Sequence, residues 1–80
     1  MRVEYTSSAV RDLKRIPTSD RNTIVSAVTA YADTGRGDVR ALKDQSGFRL
    51  RVGAWRVLFD ITADLVSIRH VVRRSERTYR

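Results

Sequence analysis

Residues 48–59, Phe-Arg-Leu-Arg-Val-Gly-Ala-Trp-Arg-Val-Leu-Phe, constrain the fold of this chain more than any other stretch. Two β-prone runs flank Gly53-Ala54, and a Gly-X pair suits a two-residue type II′ hairpin loop, with Gly53 in the φ > 0 position that side-chain-bearing residues avoid. A turn this tight sets the register. Val52 falls opposite Trp55, Arg51 opposite Arg56, Leu50 opposite Val57, Arg49 opposite Leu58 and Phe48 opposite Phe59. Directly opposed residues share a face. One face is therefore Phe48, Leu50, Val52, Trp55, Val57 and Phe59; the other carries Arg49, Arg51, Arg56, Leu58 and, further on, Asp60. Guanidinium groups gathered on one rigid surface repel one another unless an anion lies between them, so the pattern points to a phosphate-binding face.

The apolar face of the hairpin needs a cover, and the first half of the chain supplies one. Arg2 to Tyr5 is β-prone, and the Thr6-Ser7-Ser8 cluster offers an N-cap for a helix with Ala9, Val10, Leu13 and Ile16 facing inward and Arg11, Asp12, Lys14 and Arg15 outward. Pro17 punctuates. Thr18 or Ser19 then caps a second helix, with Asp20 in its first turn, running to about Ala32. Asp33 to Asp38 gathers turn formers and two glycines, which ends the helical half. Val39 to Gly47 reads as irregular, around a short turn at Ala41-Leu42-Lys43. After a Thr62-Ala63-Asp64 turn, a third strand runs from Leu65 to about Val72, and its mixed faces predict a bulge near His70. The order β-α-α-β-β-β gives an α+β fold, a two-layer sandwich in which the N-terminal strand joins a small, mostly antiparallel sheet under a helical hairpin. There is room after it for a short C-terminal helical turn. The second sheet face is left to solvent, with its arginines.

At 80 residues the chain reads as a single domain, residues 1–80. Cysteine is absent, which excludes disulfides and cysteine-based zinc sites, and the single His70 cannot build a metal site alone. No cofactor is expected. No apolar run approaches a membrane span, and the charged N-terminus does not resemble a signal peptide, so a cytoplasmic, soluble protein is the expectation. Net charge is +7, unevenly spread: residues 1–47 hold eight basic and six acidic groups, whereas residues 48–80 hold eight arginines against three acids. The excess coincides with the hairpin and the last third of the chain. Such a surface favours nucleic acid or an acidic partner.

These residues together resemble the RelE/ParE toxin superfamily of bacterial type II toxin-antitoxin systems. The likeness is carried by Val-Glu-Tyr-Thr-Ser-Ser-Ala-Val-Arg-Asp-Leu-Lys-Arg-Ile-Pro at the start, Ala-Leu-Lys-Asp before the hairpin, the Arg-Leu-Arg-Val-Gly-x-x-Arg-Val segment within it, and the closing Arg-Arg-Ser-Glu-Arg-Thr-Tyr-Arg. It is closer to the RelE-like mRNA interferases, through the density of basic residues on the sheet. The resemblance implies a toxin acting as a metal-independent endoribonuclease on mRNA in the ribosomal A site. The 2′-hydroxyl would attack to leave a 2′,3′-cyclic phosphate and a 5′-hydroxyl. It also implies a cognate acidic antitoxin as partner, beside the ribosome and mRNA. A ParE-like inhibitor of DNA gyrase without enzymatic activity, and an inactive toxin homologue serving as a binding partner, are the alternatives.

Carried over by position, Arg51 and Arg56 match catalytic arginines of the family, as do Arg74 near the end of the last strand and the C-terminal Tyr79. Arg49, Lys43, Arg73 and Arg77 match positions that contact RNA, with Arg73 and Arg74 as competing alignments for one site arginine. Arginines hold a scissile phosphate and neutralise its transition-state charge; they do not accept the proton of the nucleophile. Asp60 and Glu76 have arginine neighbours and read as ion-pair partners, Trp55 as a core residue, and His70 as a structural rather than a catalytic histidine. The general base is the one part of the chemistry that the sequence leaves without an owner.

Overall fold

Thr6 opens the first helix by capping it, its side-chain oxygen accepting a hydrogen bond from the Ala9 N–H at 3.2 Å. In the computed structural model, which describes residues 1–74, strand β1 (Arg2–Tyr5) leads into α1 (Ser7–Lys14) and α2 (Thr18–Thr34). Ala9, Leu13 and Ile16 are buried as their spacing requires, but Val10 is 41% exposed and faces outward. The second helix is not capped by Thr18 or Ser19. Pro17 occupies the cap position with no side-chain hydrogen bond, and the junction is held from the other side: Arg21 donates through Nε to the Leu13 carbonyl at 2.9 Å and through an η nitrogen to the Ile16 carbonyl at 3.0 Å. At the end of α1, Arg21 thus adds a donor from α2 to the Leu13 carbonyl, which also accepts from the Ile16 N–H, and to the Ile16 carbonyl. Along α2, Ile24, Val28 and Ala32 recur every fourth residue on the buried stripe. The helix ends at Gly35 in the left-handed conformation (φ 77°), its N–H bonded to the Tyr31 carbonyl.

The rest of the sheet is built from β2 (Asp38–Ala41), β3 (Phe48–Val52), β4 (Trp55–Thr62) and β5 (Leu65–Arg73). The sheet order is β1-β5-β4-β3-β2, with β1 parallel to β5 and every other pairing antiparallel. The α+β architecture and the hairpin register agree with the sequence reading, from Val52 opposite Trp55 to Phe48 opposite Phe59. Gly53 has φ 57° while Ala54 is not among the positive-φ residues, as a type II′ turn requires. One strand is additional. Residues 38–41, read as loop, form β2 by pairing with β3, with Asp38 opposite Arg51 and Arg40 opposite Arg49. The bulge near His70 is present as well: Leu58 pairs with His70 and Phe59 with Ile68, which leaves Arg69 as the extra residue.

The helices and one sheet face share a single core. Leu50, Val52, Val57, Phe59, Val66, Ile68 and Val71 meet Ala9, Leu13, Ile16, Ile24, Val28 and Ala32 there, while Phe59 contacts the Tyr31 and Phe48 rings at 5.4 and 5.6 Å between centroids. Beyond Ile68, β5 has outrun β1, and its outer edge is covered by α1 instead. Thr6 Oγ1 donates to the Arg69 carbonyl at 3.1 Å, and the Val71 N–H donates to Asp12 Oδ2 at 2.9 Å. Asp12, expected to point outward, therefore closes an open sheet edge.

Candidate functional site

On the face away from the helices, β2, β3 and β4 align Arg40, Arg49, Arg51 and Arg56, because direct cross-strand partners share a face. Arg40 joins this set only through β2, so it is invisible as long as residues 38–41 read as loop. Arg40, Arg49, Arg56 and Lys43 line a cavity of about 360 Å³, together with Ala41 and Leu42. Such a volume lies at the lower end of the range that small-ligand sites occupy.

These cations are poorly satisfied by the protein itself. Arg49 Nη1, Arg51 Nε and Arg56 Nε are buried atoms with no hydrogen-bond partner among the described residues. Burial first, and then the neighbouring charges of Arg51, Arg56 and Arg40, push the Arg49 guanidinium below its ordinary pKa, with Asp38 acting in the opposite sense. Asp38 lies 3.7 Å from Arg51 and partly neutralises it. Asp60, on the same face, is an ion-pair partner as read from the sequence, but of Arg69 on β5, at 3.2 Å. The surface is also less open than expected: Leu58 is 2% exposed, between its cross-strand partners Arg49 and His70. A buried leucine under these side chains restricts the directions in which they can reach.

The remaining sequence candidates are dispersed. Arg73 pairs with Trp55 and stacks over its ring, 5.2 Å from the centroid, which places it on the helical side of the sheet, away from Arg49 and Arg56. Parity along β5 is shifted by the bulge, so this side could not be assigned from alternation alone. Arg74 clasps the hairpin turn, its N–H donating to the Ala54 carbonyl at 2.8 Å and its Nη1 to the Gly53 carbonyl at 3.0 Å. Glu76, Arg77, Tyr79 and the C-terminal turn lie outside the described residues. A second cavity, of about 310 Å³ between α1 and the ends of β4 and β5, mixes Asp12 with Arg15 and Arg73 and has no comparable convergence of unpaired cations. Among the described residues, no group of three or more His, Cys, Asp or Glu side chains could hold a metal ion, and no helix is long and apolar enough to cross a membrane.

His70 is not a core residue. It shares the arginine face with Leu58, is 44% exposed in its side chain, and sets Nδ1 3.3 Å from Asp12 Oδ2.

The architecture has counterparts of known structure, although no protein-family model and no curated protein sequence matches the chain. A chain of the RelB-RelE antitoxin-toxin complex from Methanococcus jannaschii superposes with a TM-score of 0.74 at 23% identity, covering 88% of both chains. For the archaeal RelE-RelB complex from Pyrococcus horikoshii the TM-score is 0.75 at 18% identity, covering 94% of this chain and 96% of that one. The toxin-antitoxin complex RelBE2 from Mycobacterium tuberculosis gives 0.68 at 28% identity, covering 94% and 92%. These structures share this chain's overall architecture, a helical hairpin packed on a five-stranded sheet, and they are toxin-antitoxin complexes. More particularly, the chain has the RelE toxin fold.

Proposed function

We propose that this protein is the toxin of a type II toxin-antitoxin pair and cleaves mRNA as a ribosome-dependent endoribonuclease. The observation that carries this reading is the convergence of Arg40, Arg49, Arg56 and Lys43 on one cavity, beside guanidinium nitrogens that have no partner among the described residues. A phosphodiester supplies what those nitrogens lack. Bidentate contact from Arg49 and Arg56 holds the scissile phosphate, and Arg51, on the same face of β3 as Arg49 and directly across from Arg56, adds charge beside it. Attack by the adjacent 2′-hydroxyl places extra negative charge on the non-bridging oxygens of the pentacoordinate transition state. Preorganised guanidinium groups stabilise that state more than the ground state, which is the requirement for catalysis. The products are a 2′,3′-cyclic phosphate and a 5′-hydroxyl. The arginines supply the charge neutralisation that a metal ion gives in other phosphoryl-transfer sites. Arg74 and Tyr79 belong to the proposed catalytic set, and Arg73 and Arg77 to the proposed RNA contacts, through the family resemblance alone.

A cognate acidic antitoxin is the proposed partner. The same unpaired cations that hold RNA offer a docking surface for carboxylates, and covering them silences the site. Cytoplasmic action follows from the proposed ribosomal substrate.

The deciding experiment incubates the purified protein with programmed ribosomes and maps mRNA ends. Cleavage within the A-site codon is expected, with loss of about a hundredfold in rate for Arg56→Ala, the scale of removing one transition-state contact. Intact mRNA at stoichiometric protein would overturn the reading. A gyrase supercoiling assay run in parallel identifies the inhibitor alternative, and harmless expression without a partner identifies the inactive one.

A further inference from the structure

We infer that His70 is the proton acceptor for the 2′-hydroxyl, with Asp12 as its positioning residue. This rests on the ribonuclease reading above and names the group that the arginines cannot replace.

The geometry on β5 carries it. His70 is the direct cross-strand partner of Leu58, and Arg56 is paired with Val72, two residues further along. Imidazole and Arg56 are therefore diagonal neighbours on one sheet face, a relation that in antiparallel pairs spans roughly 7–8 Å between backbone positions. A phosphate gripped by Arg56 and the 2′-hydroxyl next to it fit across that span. The Arg69 bulge is what brings His70 into register with Leu58 on this face.

The ring is oriented by a carboxylate that is itself held. Asp12 Oδ2 accepts the Val71 N–H at 2.9 Å and lies 3.3 Å from His70 Nδ1. With Nδ1 protonated and donating to Asp12, Nε2 is left as the basic nitrogen, and it has no partner among the described residues. An acid in the last turn of α1 opposes the helix dipole, so Asp12 is not placed there by helix energetics; its contacts are with β5. The Asp12 side chain is 26% exposed and that of His70 44%, which gives a sheltered anchor and an accessible base.

In the step, Nε2 takes the 2′-hydroxyl proton as the 2′-oxygen forms its bond to phosphorus. The bond from phosphorus to the 5′-oxygen breaks, and the departing alkoxide takes a proton from water. Imidazolium then returns its proton to solvent, so the reaction consumes and releases no net proton. Asp12 keeps its charge and stabilises the transient imidazolium. Other charged groups on the elements packed around β5 are Arg2 and Glu4 on β1, Arg11, Lys14 and Arg15 on α1 and at its end, and Arg56 and Asp60 on β4, with Arg69 and Arg73 on β5 itself. Among the described residues, Asp12 is the charged group paired with the ring.

The test compares wild type, His70→Gln and Asp12→Asn for mRNA cleavage on programmed ribosomes across about pH 5 to 9, alongside RNA retention by filter binding. A general base acts only when unprotonated, so the wild-type rate should fall as the pH is lowered. His70→Gln should lose about a hundredfold at pH 7 and lose the acid limb, with RNA retention unchanged; Asp12→Asn should lose about tenfold. An unaltered rate and pH profile in His70→Gln overturns the inference and leaves the ribonuclease standing. Equal loss of RNA retention and cleavage overturns it too, in favour of a structural role. No cleavage by wild type sinks both. Because the chain has one histidine, nitrogen-15 NMR of the wild type reads its tautomer without variants. An Nδ1–H imidazole is expected, and an Nε2–H imidazole would overturn the assignment even where the variants do not fold.

Discussion

Asp38 sits directly across β2 and β3 from Arg51, its carboxylate 3.7 Å from the guanidinium. It is an internal counter-ion inside a surface built to attract anions, and it competes with any phosphate that approaches Arg51. Asp38→Asn should therefore tighten binding of a single-stranded oligoribonucleotide several-fold, and should cost stability no more than about 1 kcal/mol, since the pair is solvent-exposed. Filter binding and chemical denaturation read the two effects separately; weaker binding by the variant would contradict this role.

Arg40 and Arg49 face each other across the same two strands, and each is expected to contribute a phosphate contact. Arg40→Ala and Arg49→Ala should each reduce the slope of log affinity against log salt by about 0.7, the counterion release of one contact to a single strand. Titrations at several salt concentrations measure it. An unchanged slope for Arg40→Ala would remove that residue from the RNA surface.

Leu58 supports the arginine face from below. Leu58→Ala should destabilise the fold by about 2–5 kcal/mol and, in the fraction that remains folded, weaken RNA retention, because Arg49 loses its buried neighbour. Thermal denaturation and filter binding at low temperature separate the two. Full RNA affinity in the folded variant would show that the arginines position themselves.

Arg21 ties the end of α1 to the start of α2 through two carbonyls. Arg21→Ala should lower stability by about 1–3 kcal/mol with little change in denaturant m-value, as expected for hydrogen bonds from a charged donor. Mapped mRNA cleavage should persist below the variant's melting temperature.

Tyr5 carries a buried hydroxyl without a partner among the described residues, and burial pushes its pKa above the ordinary phenol value. The folded state thus favours the neutral phenol. Stability is complete below the unfolded-state value of about 10 and falls as pH rises beyond it, because the unfolded chain then loses its proton more readily. Tyr5→Phe should flatten that alkaline decline and be neutral or slightly stabilising at pH 7. Denaturation curves between pH 7 and 11 test this, and a steeper alkaline decline in the variant would contradict it.

The hairpin is legible because a two-residue turn determines everything on either side of it: once Gly53 is placed, Arg51 must oppose Arg56. Nothing comparable announces β2. Val39 and Ala41 are its apolar residues and Val39 is the one packed against the core, and the strand exists by pairing with β3, a tertiary contact that no local pattern encodes; Asp38 and Arg40 are lost from view with it. Arg73 shows the same limit in another form. Its side depends on a bulge whose position, not merely its presence, sets the parity of β5. Asp12 looks outward by helical spacing, and only the overrun of β5 past β1 gives its carboxylate a backbone N–H to meet.

That overrun reflects a four-residue first strand laid beside a nine-residue last one, and β1 pairs within the sheet only with β5. During synthesis at about 5–20 residues per second, β1 waits several seconds for its partner to be made, while the β3-β4 hairpin can already form. The arginines are thus arranged first, and the imidazole arrives with the final strand, which in one event closes the sheet and brings His70 to Asp12. A nascent chain interrupted before residue 65 carries the arginine hairpin without His70, so the two parts of the proposed site meet only when the last strand has been made.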